Sequence, residues 1–390
     1  MPGGADAATV RIQEIARLAR VSVGTVDRAL HGRKEISEKT RKEILRIAES
    51  VGYEPNWAAR ALRKGRGNLR IGVCTPREIR FFYDQIRDGI LNEARRFRHL
   101  GVDVLYQPLP EFGVGEAAAF RKLIKRGAQA IIFAPRRPAR LAPLIDAAEK
   151  EQDVRVVCIA TDVSSSCRST VVSMPPGING MLAAELMSKI LTAPARVAVV
   201  TGMLETEHLA SNTNGFVDVF TKECPGSEVV AVIEDHQHEA ESFQKCTNLL
   251  QRFPDLAGIY VNTVNSLPVC RLLKALGLVG KVKLITTDVF LELVPNFQDG
   301  TIAASIYQQP YRQGQAAVRL LVEHFFHGQP LPHSYYLEPS IAMRHNLQFF
   351  RELRATAAPK MGTDEIAPAL AAVSRTKVSL AFIDRSSKKC

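Results

Sequence analysis

The chain of 390 residues is too long for a single ordinary hydrophobic core, so two or three domains are expected. Hydrophobic residues make up 46% and charged residues 23%, which is typical of soluble globular proteins, and no apolar run reaches the ~20 residues of a membrane span. The N-terminus has no apolar stretch followed by a small-residue cleavage site, so no secretory signal is expected.

The charge is unevenly distributed along the chain. Residues 1–70 hold 15 Lys and Arg against 8 Asp and Glu, a net of +7, and residues 351–390 hold 8 against 4. The 28 basic and 28 acidic residues of 71–350 cancel. A basic N-terminal region on a neutral body indicates that this region meets a polyanion.

The seven cysteines are an odd number and form neither a C-x-x-C pair nor a zinc-binding spacing with histidine. We therefore expect reduced thiols in a cytoplasmic protein and no metal site. No G-x-S-x-G, P-loop, H-E-x-x-H or Rossmann glycine motif is present, so no catalytic residue and no cofactor is predicted.

Three short helices are predicted within residues 10–54, after a disordered N-terminus of residues 1–9. The first has apolar residues at helical spacing between Arg11 and Arg20, and Ser22 caps the second, which ends at His31-Gly32. Ser37 caps a third helix, SEKTRKEILRIAESVGY. Three short helices with a tight turn between the first two predict a helix-turn-helix DNA-binding domain.

The sequence pattern changes after residue 54. Residues 55–68 predict a short basic helix and a linker ending in glycines. Over residues 69–350, eight apolar β-branched runs alternate with helical stretches, which predicts parallel sheets buried on both faces. The runs are LRIGVC, VDVLY, AIIFAP, VRVVCIA, RVAVVTG, EVVAVI, LAGIYVN and VKLITTD.

Eight βα units are about twice what one doubly wound sheet needs, so two α/β lobes with a ligand cleft between them are expected. Residues 351–390 lose clear periodicity and are expected to form a flexible extension.

The N-terminal motifs closely resemble the DNA-binding module of the lactose-repressor (LacI/GalR) family. They are I-x-x-I-A, V-S-x-x-T-V-x-R-x-L-x-G, S-x-x-T-R and G-Y-x-P-N-x-x-A-x-x-L, at fixed spacing over ~55 residues. The body resembles the ribose-binding-like branch of the periplasmic-binding-protein type I fold, through Arg80-Phe81-Phe82, Thr287-Asp288 and Gln308-Gln309-Pro310-Tyr311. The resemblance implies a homodimeric or tetrameric DNA-binding repressor controlled by a small molecule.

The resemblance assigns DNA contacts to the second helix. Val23 and Gly24 would face base edges with apolar contact only, and Arg28 would bond guanine. Ser22 and Thr25 would bond phosphates, which fixes register without reading sequence.

Asn56, Ala59 and Leu62 match the family's hinge helix. There Leu62 would wedge between base steps of the minor groove and kink the operator. A helix this short is marginal alone, so we expect it to fold only on DNA, with two copies paired.

The resemblance also assigns effector contacts. One of Phe81 and Phe82 would stack on the ligand, although both could equally belong to the core. The other assigned residues are polar or charged: Arg136 or Arg137 after a strand end, Asp162, Asn265, Asp288 and Gln308.

Two departures weaken the assignment to a plain pentose or hexose. Asn212 stands where the family often has an arginine, with His208 one turn earlier, and residues 174–176 are Met-Pro-Pro instead of an acidic-Asn segment. His208 is as much a cap or surface residue as a ligand contact.

The sequence therefore predicts a sequence-specific DNA-binding repressor in the bacterial cytoplasm, associated with the nucleoid through double-stranded operator DNA. Its effector would be a sugar or a sugar derivative, and no membrane contact is expected. A regulator without an effector stays an alternative. A solute-binding transport protein is the remaining one, although it would need an export signal and no helix-turn-helix.

Overall fold

The structure, a computed structural model, describes residues 12–30, 36–50 and 68–350. The chain divides into two compact units, Met1–Gly67 and Asn68–Cys390, which we call the head and the body. The predicted hinge positions Asn56, Ala59 and Leu62 lie outside the described residues, as do the predicted N-terminal and C-terminal extensions.

The described part of the head contains three helices, α1 (Ile12–Leu18), α2 (Val23–Leu30) and α3 (Glu38–Ser50). The hydroxyls of Ser22 and Ser37 accept hydrogen bonds from the backbone amides three residues later, each at 3.1 Å. These are the two N-caps that the sequence predicts. The residues at helical spacing meet in one small core, made of Ile15, Ala16, Val26, Ala29, Ile44, Ile47 and Ala48.

The first lobe of the body is a six-stranded parallel sheet in the order β11-β5-β4-β3-β1-β2. Its strands are β1 (Leu69–Cys74), β2 (Val102–Tyr106), β3 (Ala130–Phe133), β4 (Arg155–Ile159), β5 (Thr170–Ser173) and β11 (Ser334–Tyr336). Its helices are α4 (Arg80–Arg96), α5 (Glu116–Lys125), α6 (Pro138–Glu151) and α12 (Pro310–His327).

The second lobe repeats this plan in the order β12-β10-β9-β8-β6-β7, with only β12 antiparallel to its neighbour. Its strands are β6 (Arg196–Thr201), β7 (Glu228–Glu234), β8 (Leu256–Asn262), β9 (Lys283–Thr287), β10 (Ile302–Tyr307) and β12 (Ser340–Ala342). Its helices are α7 (Ile178–Ile190), α8 (Glu207–Glu223), α9 (Glu239–Arg252), α10 (Leu267–Ala275) and α11 (Val294–Gln298). Three short 3-10 turns lie at Arg98–Leu100, Leu291–Leu293 and Leu347–Phe349.

Between residues 68 and 350 the chain crosses from lobe to lobe at residues 174–177, 308–309 and 337–339. These crossings place α12 against α4 in the first lobe and α7 against α8 in the second. Both helix pairs approach closely through glycine. A Cβ on Gly89 would lie 2.0 Å from the Tyr311 carbonyl oxygen, and one on Gly180 would lie 1.7 Å from that of Asn212.

The apolar runs of the sequence form the central strands. All four residues of β3 are buried, as are five of the six in each of β1, β6 and β10. The two-lobed α/β body and the helical core of the head, as far as the structure describes them, are therefore as the sequence predicts. None of the helices in the described ranges has the length and apolar composition that crossing a bilayer requires.

Candidate functional site

The candidate site is a cavity between the two lobes of the body, with ≈ 510 Å³ of empty space when its opening to solvent is included. Parallel strands of each lobe end at this cleft, so the residues that follow them supply much of its wall. The lining residues are Ile79, Phe82, Tyr83, Phe112, Ala160, Thr161, Thr206, His208, Leu209, Gln237, Asn262, Thr263, Val264, Thr287 and Gln308.

The two lobes contribute different chemistry to this wall. The first lobe contributes mainly apolar and aromatic side chains, among them Ile79, Phe82 and Phe112. The second lobe contributes mainly uncharged polar side chains, such as Asn262 and Thr287. An apolar face opposite a row of hydrogen-bonding groups suits a small amphipathic ligand.

Gln308 lies both on the cavity wall and in a crossing segment, and Asp288 holds it in place. The Asp288 carboxylate accepts hydrogen bonds from the Gln308 backbone amide at 2.9 Å and from Nε2 of its side chain at 2.7 Å. Asp288 itself is fully buried and does not line the cavity. Burial raises the pKa of Asp288 to about 7, against these two hydrogen bonds.

His208 extends this series of hydrogen bonds along the wall. Its Nε2 lies 2.9 Å from Gln308 Oε1 and 3.1 Å from the Asn212 amide nitrogen. Burial lowers the pKa of His208, although the hydrogen bond to Gln308 opposes the shift, so the imidazole is neutral at pH 7. Asn212 is buried behind His208 and does not reach the wall.

Three wall residues have polar atoms that are buried and have no hydrogen-bond partner within the described structure. They are the hydroxyls of Thr161 and Thr206 and Oε1 of Gln237. Unpaired buried polar atoms cost about 1–3 kcal/mol each, so these three are available to hydrogen-bond a ligand in the cavity.

The mouth of the cleft is bridged by contacts between the lobes. Phe81 stacks on Phe290 with ring centroids 3.9 Å apart, and Nε of Arg136 lies 2.9 Å from a carboxylate oxygen of Glu205. Arg137 lies 3.7 Å from the same oxygen.

Two further contacts complete the bridge across the mouth. The Ser164 hydroxyl donates to Glu207 at 3.1 Å, and His238 lies 3.6 Å from Glu78. These contacts join the two lobes beside the cavity.

The structure brings only some of the predicted effector residues together. Phe82, His208 and Gln308 line the cavity, Asp288 and Asn212 support them from behind, and Phe81, Arg136 and Arg137 lie at the mouth, as described above. The remaining two residues face elsewhere.

Asp162 and Asn265 lie away from the cavity wall, and each is bonded to another residue of the protein. Both carboxylate oxygens of Asp162 accept from the buried Arg168, and the Asn265 amide donates to Asp235 at 2.9 Å. Neither lines the cavity, because these side chains stabilise loops at the strand ends.

Sequence reasoning missed several wall residues that carry polar groups. Thr161, Asn262 and Thr287 end or closely follow strands, and that position was the available signal. Thr206 and Gln237 lie in loops, where no periodicity marks them.

In the described part of the head, four of the residues predicted to contact DNA lie at the start of α2, and Arg28 lies in its last turn. Ser22, Val23 and Gly24 are exposed, and Thr25 and Arg28 are partly exposed on the same helix. Val23 exposes 47% of its surface, which leaves an apolar side chain unpartnered within the described head. The Ser22 and Thr25 hydroxyls lie 2.9 Å apart.

Comparison with known families agrees with this division. Residues 71–329 match the family described as periplasmic binding protein domain, and residues 11–56 match bacterial regulatory proteins, lacI family. Catabolite control protein A of Staphylococcus epidermidis is 30% identical over 125 residues, which are 32% of this chain and 37% of that protein. Its namesake from Priestia megaterium is 34% identical over 90 residues, 23% of this chain and 27% of that protein. The chain thus matches 37% of the length of the first relative and 27% of the second.

Solved structures share the fold of the body. An ABC transporter solute binding protein from Burkholderia graminis, in complex with D-arabinose, matches with a TM-score of 0.67 at 22% identity, over 74% of this chain and 99% of that one. A glucose-galactose binding protein from Geobacillus stearothermophilus matches with a TM-score of 0.66 at 25% identity, over 72% and 99%. These likenesses confirm the predicted periplasmic-binding-protein type of fold.

Proposed function

We propose that this chain, which belongs to the periplasmic binding protein domain family and carries a lacI-family module at its N-terminus, is a DNA-binding transcriptional repressor. A small sugar-like effector would control its affinity for the operator. One observation carries the proposal. A single chain joins a helix-turn-helix, whose second helix exposes its N-terminus, to a two-lobed body with unpaired polar groups in its cleft.

The exposed start of α2 supports the DNA contact. A recognition helix places its N-terminal residues at base edges of the major groove, which is where Val23 and Gly24 are exposed, and Arg28 lies partly exposed in the last turn of the same helix. Arg28 would donate two hydrogen bonds to a guanine, while Val23 would contact a thymine methyl group. The acidic and basic residues of 71–350 cancel, so the basic head supplies the electrostatic attraction.

Effector control would act through the angle between the lobes. A ligand that contacts both walls stabilises the closed cleft, and the predicted hinge at residues 55–68 would transmit this difference to the operator. We further propose that the protein acts in the cytoplasm as a homodimer or a tetramer, because paired half-sites require paired heads. A purified chain that remains monomeric on and off DNA would contradict this part.

DNA recognition is tested with the full chain in a selected-site enrichment assay, followed by anisotropy titrations at fixed salt. Replacing Arg28 with alanine should lower the preference for the selected duplex over a scrambled one by roughly 5- to 150-fold. Arg46→Ala is the control, since the Arg46 side chain is 70% exposed on α3 and bonded to Glu43. No enriched sequence for the wild type, or an unchanged preference in Arg28→Ala, would refute the proposal.

Effector control is tested separately. A sugar that raises the melting temperature of the protein is titrated into the preformed complex with the selected duplex. A change of duplex affinity in either direction supports control by the effector. An unchanged affinity would favour a regulator that binds DNA constitutively.

A further inference from the structure

The cavity wall carries no side chain that is ionised at neutral pH. None of its lining residues is Asp, Glu, Lys or Arg, and its one titratable group near neutrality, His208, is kept neutral by burial. Two carboxyl groups lie directly behind wall residues, Asp288 behind Gln308 and Asp235 behind Gln237, and neither has exposed surface.

The cationic side chains predicted for the site are engaged outside it. Arg136 lies at the mouth, where it pairs with Glu205 and donates to the Phe112 carbonyl oxygen at 3.0 Å. An adjoining pocket does hold charged groups of both signs, Glu78, Glu111 and Glu241 together with Arg136, and this arginine is already paired with Glu205. A charged ligand in the inner cavity would therefore lose its hydration without gaining a counterion.

The hydrogen-bonding groups of the inner wall are neutral donors and acceptors. Thr161 follows β4 in the first lobe, and Thr206 precedes α8 in the second. Thr206 occupies the N-cap position of α8, yet its hydroxyl makes no capping bond. Thr161 is 4% exposed and Thr206 2% exposed, and both residues line the cavity, so a ligand there can supply the partner that each hydroxyl lacks.

We propose that the effector is an uncharged polyhydroxy compound with one apolar face, such as a neutral monosaccharide, deoxysugar or cyclitol, and that Thr161 and Thr206 bond its hydroxyls from opposite lobes. This inference rests on the proposed function, in which the body binds a small effector. The C–H face of the ring packs on Phe82 and Phe112 of the first lobe. Sugar phosphates, sugar acids and amino sugars are excluded, because each would bury an unpaired charge.

The proposal that the effector is uncharged, called the charge rule below, is tested by calorimetry and thermal shift on the full chain. The neutral arm contains D-glucose, D-galactose, L-arabinose, D-ribose, L-fucose and myo-inositol. The charged arm contains glucose 6-phosphate, ribose 5-phosphate, galacturonate and glucosamine. We expect the tightest binder in the neutral arm, and its charged analogue at least ~100-fold weaker.

A charged compound that binds as tightly as its neutral parent would overturn the inference, as would the absence of binding in both arms. Operator binding is measured in parallel, so the two failures can be told apart. If a charged sugar binds and alters operator affinity, the regulator proposal stands and only the charge rule falls.

The role of the two hydroxyls is tested by Thr161→Val and Thr206→Val, which remove each hydroxyl at nearly constant volume. Each should weaken the neutral ligand about 3- to 10-fold. Thr170→Val is the matched control, since Thr170 is a fully buried threonine of β5 whose hydroxyl is also unpaired but which does not line the cavity. Its ligand affinity should stay unchanged. Equal affinity in all three variants would refute the bridging role, whereas a loss confined to the two wall residues would support it.

Discussion

The Asp288→Asn variant tests the buried carboxyl group that holds Gln308 in the wall. Asp288 is fully buried, and burial raises its pKa from 3.8 to about 7. A carboxyl group whose folded-state pKa is raised adds stability at low pH, where it is protonated in both states. That stability is lost as the pH rises through the folded-state value.

The size of the effect follows from this shift. Between pH 6 and pH 8 the unfolded-state carboxyl is already ionised, while the folded-state group with a pKa of about 7 loses its proton. The equilibrium constant for unfolding therefore rises tenfold between pH 6 and pH 8, and a factor of ten corresponds to about 1.4 kcal/mol. The wild type should therefore lose about 1.4 kcal/mol of unfolding free energy over this interval from Asp288 alone.

The asparagine side chain stays uncharged at every pH. Its oxygen accepts from the Gln308 backbone amide, whereas its NH₂ group cannot accept from Gln308 Nε2, so the variant lacks that hydrogen bond by the same amount at every pH. We expect the difference in unfolding free energy between Asp288→Asn and the wild type to shift by about 1.4 kcal/mol in favour of the variant between pH 6 and pH 8. Contributions from Asp235, with a pKa raised to about 6 by burial, and from His208 are present in both proteins and cancel in the difference.

The assay is urea unfolding followed by circular dichroism at pH 6, 7 and 8. Asp299→Asn is the control, because hydrogen bonds from Lys274 and Thr301 outweigh desolvation and hold the pKa of Asp299 below its ordinary value. The unfolding free energy of that variant should change with pH by the same amount as that of the wild type. If the unfolding free energy of Asp288→Asn also followed the wild type over pH 6 to 8, Asp288 would not titrate in this interval, and the reasoning from burial would be refuted.

Three further predictions concern packing and closure. Ile44→Ala should lower the unfolding free energy of the head by about 2–5 kcal/mol and abolish operator binding, while effector affinity stays unchanged. Leu45→Ala, at a 45% exposed site, is the control and should change neither quantity; urea unfolding and anisotropy titrations measure them. Gly180→Ala places a Cβ 1.7 Å from the Asn212 carbonyl oxygen, so at least ~1–3 kcal/mol should be lost, and an unchanged melting temperature would contradict the α7–α8 contact. Glu205→Gln removes the bridge to Arg136 and should weaken effector binding by no more than ~5-fold, while Glu185→Gln, which breaks a pair with Lys189 inside α7, should leave it unchanged.

Much of the fold could be predicted because its signals are local. The head follows from apolar residues at helical spacing between two serine caps, and both Ser22 and Ser37 form those caps. The body follows from apolar runs such as AIIF, every residue of which is buried in β3. Periodicity and capping act within a few residues, so they survive without knowledge of the tertiary structure.

The wall of the cavity could be predicted only in part, because side-chain direction after a strand depends on the backbone of the loop. Ala160 adopts a left-handed conformation, with φ of 66°, directly after β4. Thr161 then lines the cavity, while Asp162, one residue later, pairs with Arg168. A resemblance that places an acid at a strand end cannot resolve a shift of one residue.

Gln308 connects the cavity to the geometry of the whole body. Its side chain lies on the wall and bonds His208 and Asp288, while its backbone belongs to a segment that passes between the lobes. In the proposed effector control, rotation of the lobes would change the backbone conformation of this segment, so a ligand that contacts the Gln308 amide would bind the open and the closed body with different energies. Such a difference is the thermodynamic requirement for control at a distance. Because the coupling is reciprocal, an operator that favours one lobe angle must change the affinity of the cavity by the same factor.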